Sequence, residues 1–172
     1  MSYIFTPYTA STAKSEKRSL LNAMEFNNDP IKAEREKALL SKALSFAANN
    51  STRLYSMRDT TGKLKGILGF IALSASEVLI DDTKKPVVLV DLLIVNNKYR
   101  SNVYEHLDNL KISQLLLEYA GTKFYEVREH IGVSYLILYP DGGKKNKILV
   151  NFYKTMGFSY ATNKHEWMYI KL

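Results

Sequence analysis

The chain has 172 residues, 46% hydrophobic and 24% charged, a composition that suits one globular domain spanning residues 1–172. It has no cysteine, which excludes a thiol nucleophile, a disulfide framework and a cysteine-ligated metal site, and which fits a cytoplasmic protein. The formal net charge of +7 comes from dispersed lysines and arginines, not from a basic stripe with interleaved aromatics, which argues against nucleic acid as the partner.

Tyr3 to Tyr8 predicts a first strand, and the cluster Thr9 to Thr12 supplies helix-start residues for a helix from about Ala13 to Phe26. Asn27-Asn28-Asp29-Pro30 breaks that helix, and Asp29 with Pro30 opens a second one. There Leu40, Ala43, Leu44 and Ala47 share one face, and Asn49-Asn50 ends it. The period then changes. Leu54 to Asp59 and Leu64 to Ser74 predict a hairpin around Thr60-Thr61-Gly62-Lys63, followed by a polar loop from Asp81 to Pro86. The run Val87 to Val95 is β-branched and apolar enough to be a buried central strand.

After Asn96-Asn97 the chain is polar and irregular until about Asn109. Ile112, Leu115, Leu116 and Tyr119, continued by Ala120, Phe124, Val127 and Ile131, predict a long helix closed by Gly132. Val133 to Tyr139 predicts another buried strand, and Pro140-Asp141-Gly142-Gly143 a loop. Leu149, Phe152, Tyr153 and Met156 mark a short amphipathic helix ending at Gly157, after which one or two antiparallel strands close the chain. The order of elements predicts one α/β domain with a mixed, mostly antiparallel central sheet flanked by helices. No run is apolar for long enough to span a bilayer, and no secretory signal is expected in Met1 to Lys14.

Three segments, in this order, resemble the GNAT superfamily of N-acetyltransferases. The hairpin RLYSMRDTTGKLKGILGFIAL is similar to that family's second and third strands. The stretch VVLVDLLIVNNKYR, with KISQLLLEYAGTKFYEVREHIGVSYLILYP, is similar to its central strand, cofactor helix and fifth strand. In NKILVNFYKTMGF, residues Asn146, Phe152, Tyr153, Gly157 and Phe158 fall where its C-terminal signature wants them, and WMYIKL closes the chain. The likeness covers roughly residues 52–172. One segment departs from the pattern. The loop into the cofactor helix normally carries glycines whose main-chain N–H groups approach a pyrophosphate. Without a gap, Arg100 leads, and Val103 and Glu105 fall on those positions; with an insertion, Lys111 and Ser113 do. The second alignment gives the better spacing from helix start to the strand at Val133.

The resemblance implies direct attack of a substrate amine on the thioester of acetyl-CoA, the expected cofactor, with an amine-bearing small molecule or protein as acceptor. Leu93, Ile94 and Val95 would flank the acetyl group. The phosphate cradle would be the backbone of Val95 to Arg100 and of Leu110 to Gln114, which includes Lys111, Ile112 and Ser113. Lys98, Arg100 and Lys111 are the candidate counter-charges. Tyr153 is the candidate acid for the departing thiolate. Asn146 would orient cofactor amides or serve as a helix N-cap. Asp91, the one ionisable residue of the apolar run, is the candidate base; the alternative is a salt-bridged or surface-facing strand residue. His106, His130 and His165 lack metal-ligand spacing and read as surface or structural, and no metal site is expected. Gly142-Gly143 with Lys144-Lys145 is either an anion nest or a flexible loop. Two other readings stay open, a GNAT-like binding module without efficient catalysis and a basic nucleic-acid-binding regulator. Exposed apolar segments would support a homodimer.

Overall fold

A computed structural model describes residues 2–80, 82–161 and 166–171. Nine strands and five α-helices follow in chain order among these residues. The first part of the chain supplies β1 (Tyr3–Tyr8), α1 (Ala10–Ser15), α2 (Lys17–Asn22), α3 (Pro30–Ala48), β2 (Arg53–Asp59) and β3 (Gly69–Ile80). The middle supplies β4 (Thr83–Val95), β5 (Val103–Tyr104), β6 (Leu110–Lys111) and α4 (Ile112–Arg128). The last part supplies β7 (Tyr135–Leu138), α5 (Lys147–Thr155), β8 (Ser159–Tyr160) and β9 (Met168–Lys171). Seven strands hydrogen-bond in the order β1, β2, β3, β4, β7, β9, β8, while β5 and β6 pair separately. Strands β4 and β7 run parallel, with Val87 opposite Tyr135 and Val90 opposite Leu138, while β1–β2, β2–β3, β7–β9 and β8–β9 are antiparallel; the sheet is mixed and mostly antiparallel, as the sequence predicts.

Local chemistry explains most boundaries, including those that differ from expectation. Thr9 and Thr12 form a reciprocal capping box, so the first helix starts at Ala10 rather than Ala13 and breaks at Glu16 into two short helices. Asp29 caps α3 by accepting from the N–H groups of Ile31 and Lys32, with Pro30 in the first turn. The β2–β3 connection is longer than the expected four-residue turn. The Asp59 carboxylate accepts from the N–H groups of Thr61 and Leu64 and holds the chain in a loop, and β3 starts only at Gly69. The polar loop expected from Asp81 to Pro86 is mostly strand: β4 begins at Thr83, after Asp82 at φ 57°. Asp81 and His165 lie outside the described residues. The helix expected to reach Ile131 ends at Arg128.

The chain forms two compact units. The first comprises residues up to Leu73 together with Asp91–Tyr119. Its core joins Ala13, Leu20, Met24, Leu40, Leu44 and Ala47 of the first three helices to Leu54, Phe70, Ala72, Leu92 and Ile94 of the strands. Leu92 and Ile94, two apart along β4, therefore share one face packed in this core, as strand alternation predicts. The second unit comprises Ser74–Val90 and Ala120–Leu172. There Ile80, Val87, Tyr135 and Ile137 pack together, with Val78, Leu89, Trp167 and Tyr169 half-buried against them.

Candidate active site

In the first unit, the end of β4 is fixed by a polar node that sequence reasoning missed. Asn96 is buried, and all its side-chain capacity is used. Its Nδ2 donates to the carbonyls of Ala23 (3.3 Å) and Ile67 (3.0 Å), and its Oδ1 accepts from the N–H groups of Glu25 (3.4 Å) and Lys98 (3.2 Å). Its main-chain N–H donates to Leu68 O at 2.9 Å. One amide thus ties the α2–α3 connection, the β2–β3 loop and the turn after β4 to one another. A polar residue directly after a buried apolar strand was the signal available.

Arg100, a candidate counter-charge, has partners of its own within the fold. Its guanidinium pairs with Glu36 of α3 at 2.8 Å and donates to Val95 O at 3.1 Å. Glu36 also accepts from Asn27 N–H at 2.9 Å. The positive charge of Arg100 is therefore paired within the fold, and its guanidinium also holds the last carbonyl of β4. Lys98 and Lys111 are exposed and remain available to an anion.

Between β4 and α4 the chain forms the β5–β6 hairpin, and Asp108 and Asn109 in its turn take left-handed φ of 58° and 57°. Helix α4 then starts at Ile112. Its first-turn N–H groups have no carbonyl inside the helix to bond, and the Gln114 side chain reaches back to accept from Lys111 N–H at 2.9 Å. Val103 and Glu105 stand exposed, whereas Ile112 is buried. Ser113 and Gln114 are half-buried. The parallel ladder of β4 with β7 ends at Val90, yet β4 itself continues through Asp91, Leu92, Leu93 and Ile94 to Val95. Leu93 is half-buried, and Ile94 and Val95 are buried.

Asp91 is not a buried charge. It is exposed, and Thr52 Oγ1 lies 2.7 Å from its Oδ2 and 2.9 Å from Leu73 O, so the single hydroxyl proton serves one of these two acceptors at a time. A short side chain on the outer face of a strand is compatible with an apolar run, which is why the pattern concealed the exposure.

His106 and Asp59 form a second buried feature of this unit. The Asp59 side chain is fully buried, and His106 Nε2 lies 3.4 Å from its Oδ2 without a well-formed hydrogen bond. Burial alone raises the Asp59 pKa. The N–H groups of Leu64 and Thr61, the Thr61 hydroxyl and the charge of His106 outweigh it and bring the pKa down to about 2. A lowered carboxylate pKa stabilises the fold above the ordinary value of about 4 and loses that contribution as pH falls toward 2. Urea midpoints measured from pH 5 to pH 2 are expected to fall more steeply in the wild type than in Asp59→Asn. Parallel curves would show that the Asp59 carboxylate carries no such acid dependence.

In the second unit, Tyr153 lies on the inner face of α5 with Val150 and packs its ring near Phe152 and Phe158. Burial, and then the charge of Asp141, push its pKa up to about 12. A phenol is protonated at neutral pH even at its ordinary pKa, and this shift extends that range upward. Asn146 acts as the helix N-cap: its Oδ1 accepts from Leu149 N–H at 3.2 Å, and its Nδ2 donates to Asp141 O at 3.0 Å. Gly157, at φ 90°, closes α5. Among the described residues no cluster of His, Asp and Glu could hold a metal ion, and no helix is long and apolar enough to cross a membrane.

Neither a family model nor a curated protein sequence matches the chain. Solved structures do. A tyrosine-to-phenylalanine mutant of the toxin AtaT, bound to the C-terminus of the antitoxin AtaR and acetyl-CoA, matches with a TM-score of 0.68 at 12% identity, over 99% of this chain and 94% of that one. A tyrosine-to-phenylalanine mutant of KacT matches with a TM-score of 0.69 at 12% identity, over 99% and 95%. The GNAT family N-acetyltransferase YhbS from Escherichia coli, in complex with CoA, matches with a TM-score of 0.57 at 15% identity, over 99% and 82%. At these identities the likeness is one of architecture: the chain has a GNAT-like fold.

Proposed function

We propose that this chain is an N-acetyltransferase that moves an acetyl group from acetyl-CoA to a primary amine by direct attack. The observation that carries the reading is the stretch of β4 from Asp91 to Val95, which runs on after the β7 ladder has ended at Val90. Main-chain N–H and C=O groups left without a ladder need other partners, and a ligand amide or carbonyl is a suitable one. The residues fit the cofactor. The first-turn N–H groups of α4, including those of Ile112, Ser113 and Gln114, with exposed Lys98 and Lys111, would hold a diphosphate without glycine. Leu93, Ile94 and Val95 would border the acyl group, and Asn146 would keep α5 in register. Acetyl-CoA, when bound, supplies an activated thioester carbonyl.

Tyr153 holds the proton that a departing sulfur needs: a phenol is neutral at pH 7, and burial raises its pKa further. Asp91, exposed and beside Thr52, takes the proton of the acceptor ammonium directly or through water.

Saturating acetyl-CoA is expected to raise the melting temperature of the wild type, because a ligand that binds only the native state stabilises it. Tyr153→Phe is expected to keep that shift while thiol release with an amine panel falls by about tenfold or more. Equal turnover would remove Tyr153 from the mechanism. The absence of any shift would replace the enzyme with a GNAT-like binding module.

A further inference from the structure

The loop ahead of α5 is built to receive an anion, and one of the chain's own carboxylates sits in it. Pro140-Asp141-Gly142-Gly143 folds back through Gly143 N–H, which donates to Pro140 O at 2.8 Å. Gly142 and Gly143 take left-handed φ of 80° and 60°, and Lys144 returns to negative φ. With the Gly143 N–H spent on closing the turn, that change of hand leaves the Lys144 N–H turned outward beside two lysines, a spot of positive charge. Glu166 fills it. Lys144 N–H donates to Glu166 Oε1 at 3.3 Å, and the Tyr139 hydroxyl donates to Oε2 at 2.5 Å. These two bonds, aided by the charges of Lys144 and Lys145, keep the Glu166 carboxyl below its ordinary pKa. A Cβ on Gly143 would stand 2.3 Å from Glu166 Oε2, so the position admits an oxyanion only because it has no side chain. The bonds lie at the surface, so the carboxylate can leave without stranding a buried charge.

We propose that this loop is a binding site for a small oxyanion, a phosphate group in preference to a carboxylate, and that Glu166 is a tethered competitor for the same seat. A phosphate brings more charge and more acceptor oxygens to the Lys144 N–H, the Tyr139 hydroxyl and the two ammonium groups than a carboxylate does. A tethered competitor acts through its effective concentration, so its loss raises the apparent affinity of any free anion. The inference goes beyond acyl transfer and does not depend on it.

The test uses the chain's single tryptophan, Trp167, whose ring lies 5.5 Å from that of Tyr139. Inorganic phosphate and, in a separate arm, acetate are titrated at constant ionic strength while tryptophan fluorescence is followed. Glu166→Gln, which preserves the side chain's shape and a hydrogen-bonding oxygen, and Glu166→Ala, which empties the seat, are expected to half-saturate at about tenfold lower phosphate than the wild type. Replacing Lys144 and Lys145 by alanine in the Glu166→Gln background is expected to abolish that gain. Identical phosphate curves in all three Glu166 forms would overturn the proposal, as would a gain that survives loss of the lysines. Acetate binding as tightly as phosphate would overturn the stated preference.

Discussion

Gly69→Ala is expected to destabilise the fold by about 3 kcal/mol, the upper end of the ordinary cost of overpacking. Gly69 opens β3, and an added Cβ would lie 2.6 Å from Ile94 O, 2.9 Å from Leu116 Cδ1 and 3.3 Å from Val95 Cα. Two of the three obstacles are main chain and cannot rotate away, and the third belongs to a fully buried leucine. The backbone conformation itself suits alanine, because φ at Gly69 is not positive, so contact alone sets the cost. Alanine would push the end of β4 and the first turns of α4 outward together, and these are the elements assigned to the cofactor. Urea unfolding measures the effect. Gly121→Ala in α4, where an added Cβ meets nothing, is the control and is expected to be neutral or stabilising by up to about 1 kcal/mol. An unchanged midpoint for Gly69→Ala would show that the strands separate there at little cost.

Asn96→Ala is expected to cost about 2–3 kcal/mol, and Asn96→Asp more. The alanine leaves the buried carbonyl of Ile67, and the half-buried carbonyl of Ala23 and N–H groups of Glu25 and Lys98, without their side-chain partner. The aspartate keeps the acceptor but directs a second carboxylate oxygen at the Ala23 and Ile67 carbonyls, and it buries a charge. Denaturant midpoints of the two variants test the order. If aspartate were tolerated as well as alanine, the amide would not be the node its hydrogen bonds describe.

Much of the fold could be read from local pattern. The apolar run at Val87–Val95, the face formed by Leu40, Ala43, Leu44 and Ala47, and the cap at Asp29-Pro30 each carry one unambiguous signal, and each corresponds to an element of the structure. Boundaries failed where a side chain overrode the pattern. Asp59 lengthened the β2–β3 connection by accepting main-chain N–H groups, and the Thr9–Thr12 box moved a helix start forward. Site residues were less legible, because charge type says nothing about partner. Arg100 and Lys98 look alike in the sequence, yet Arg100 is bound to Glu36, 64 positions away, and to a strand-end carbonyl. Besides the nearby Lys98, the Asn96 side chain has partners 29 to 73 positions distant, and no spacing rule reaches that far.

The way β4 is flanked has a consequence for assembly. Its neighbour β3 precedes it directly, across a connection of two residues, so those two strands meet as soon as both are synthesised. Its other neighbour, β7, starts at Tyr135, and all of α4 must be made and wound first. Until then the most β-prone segment of the chain, Val87 to Val90, has an open edge of the kind that recruits other chains. Fragments that stop short of Tyr135 lack the strand that covers that edge, and are expected to aggregate more readily than the full chain.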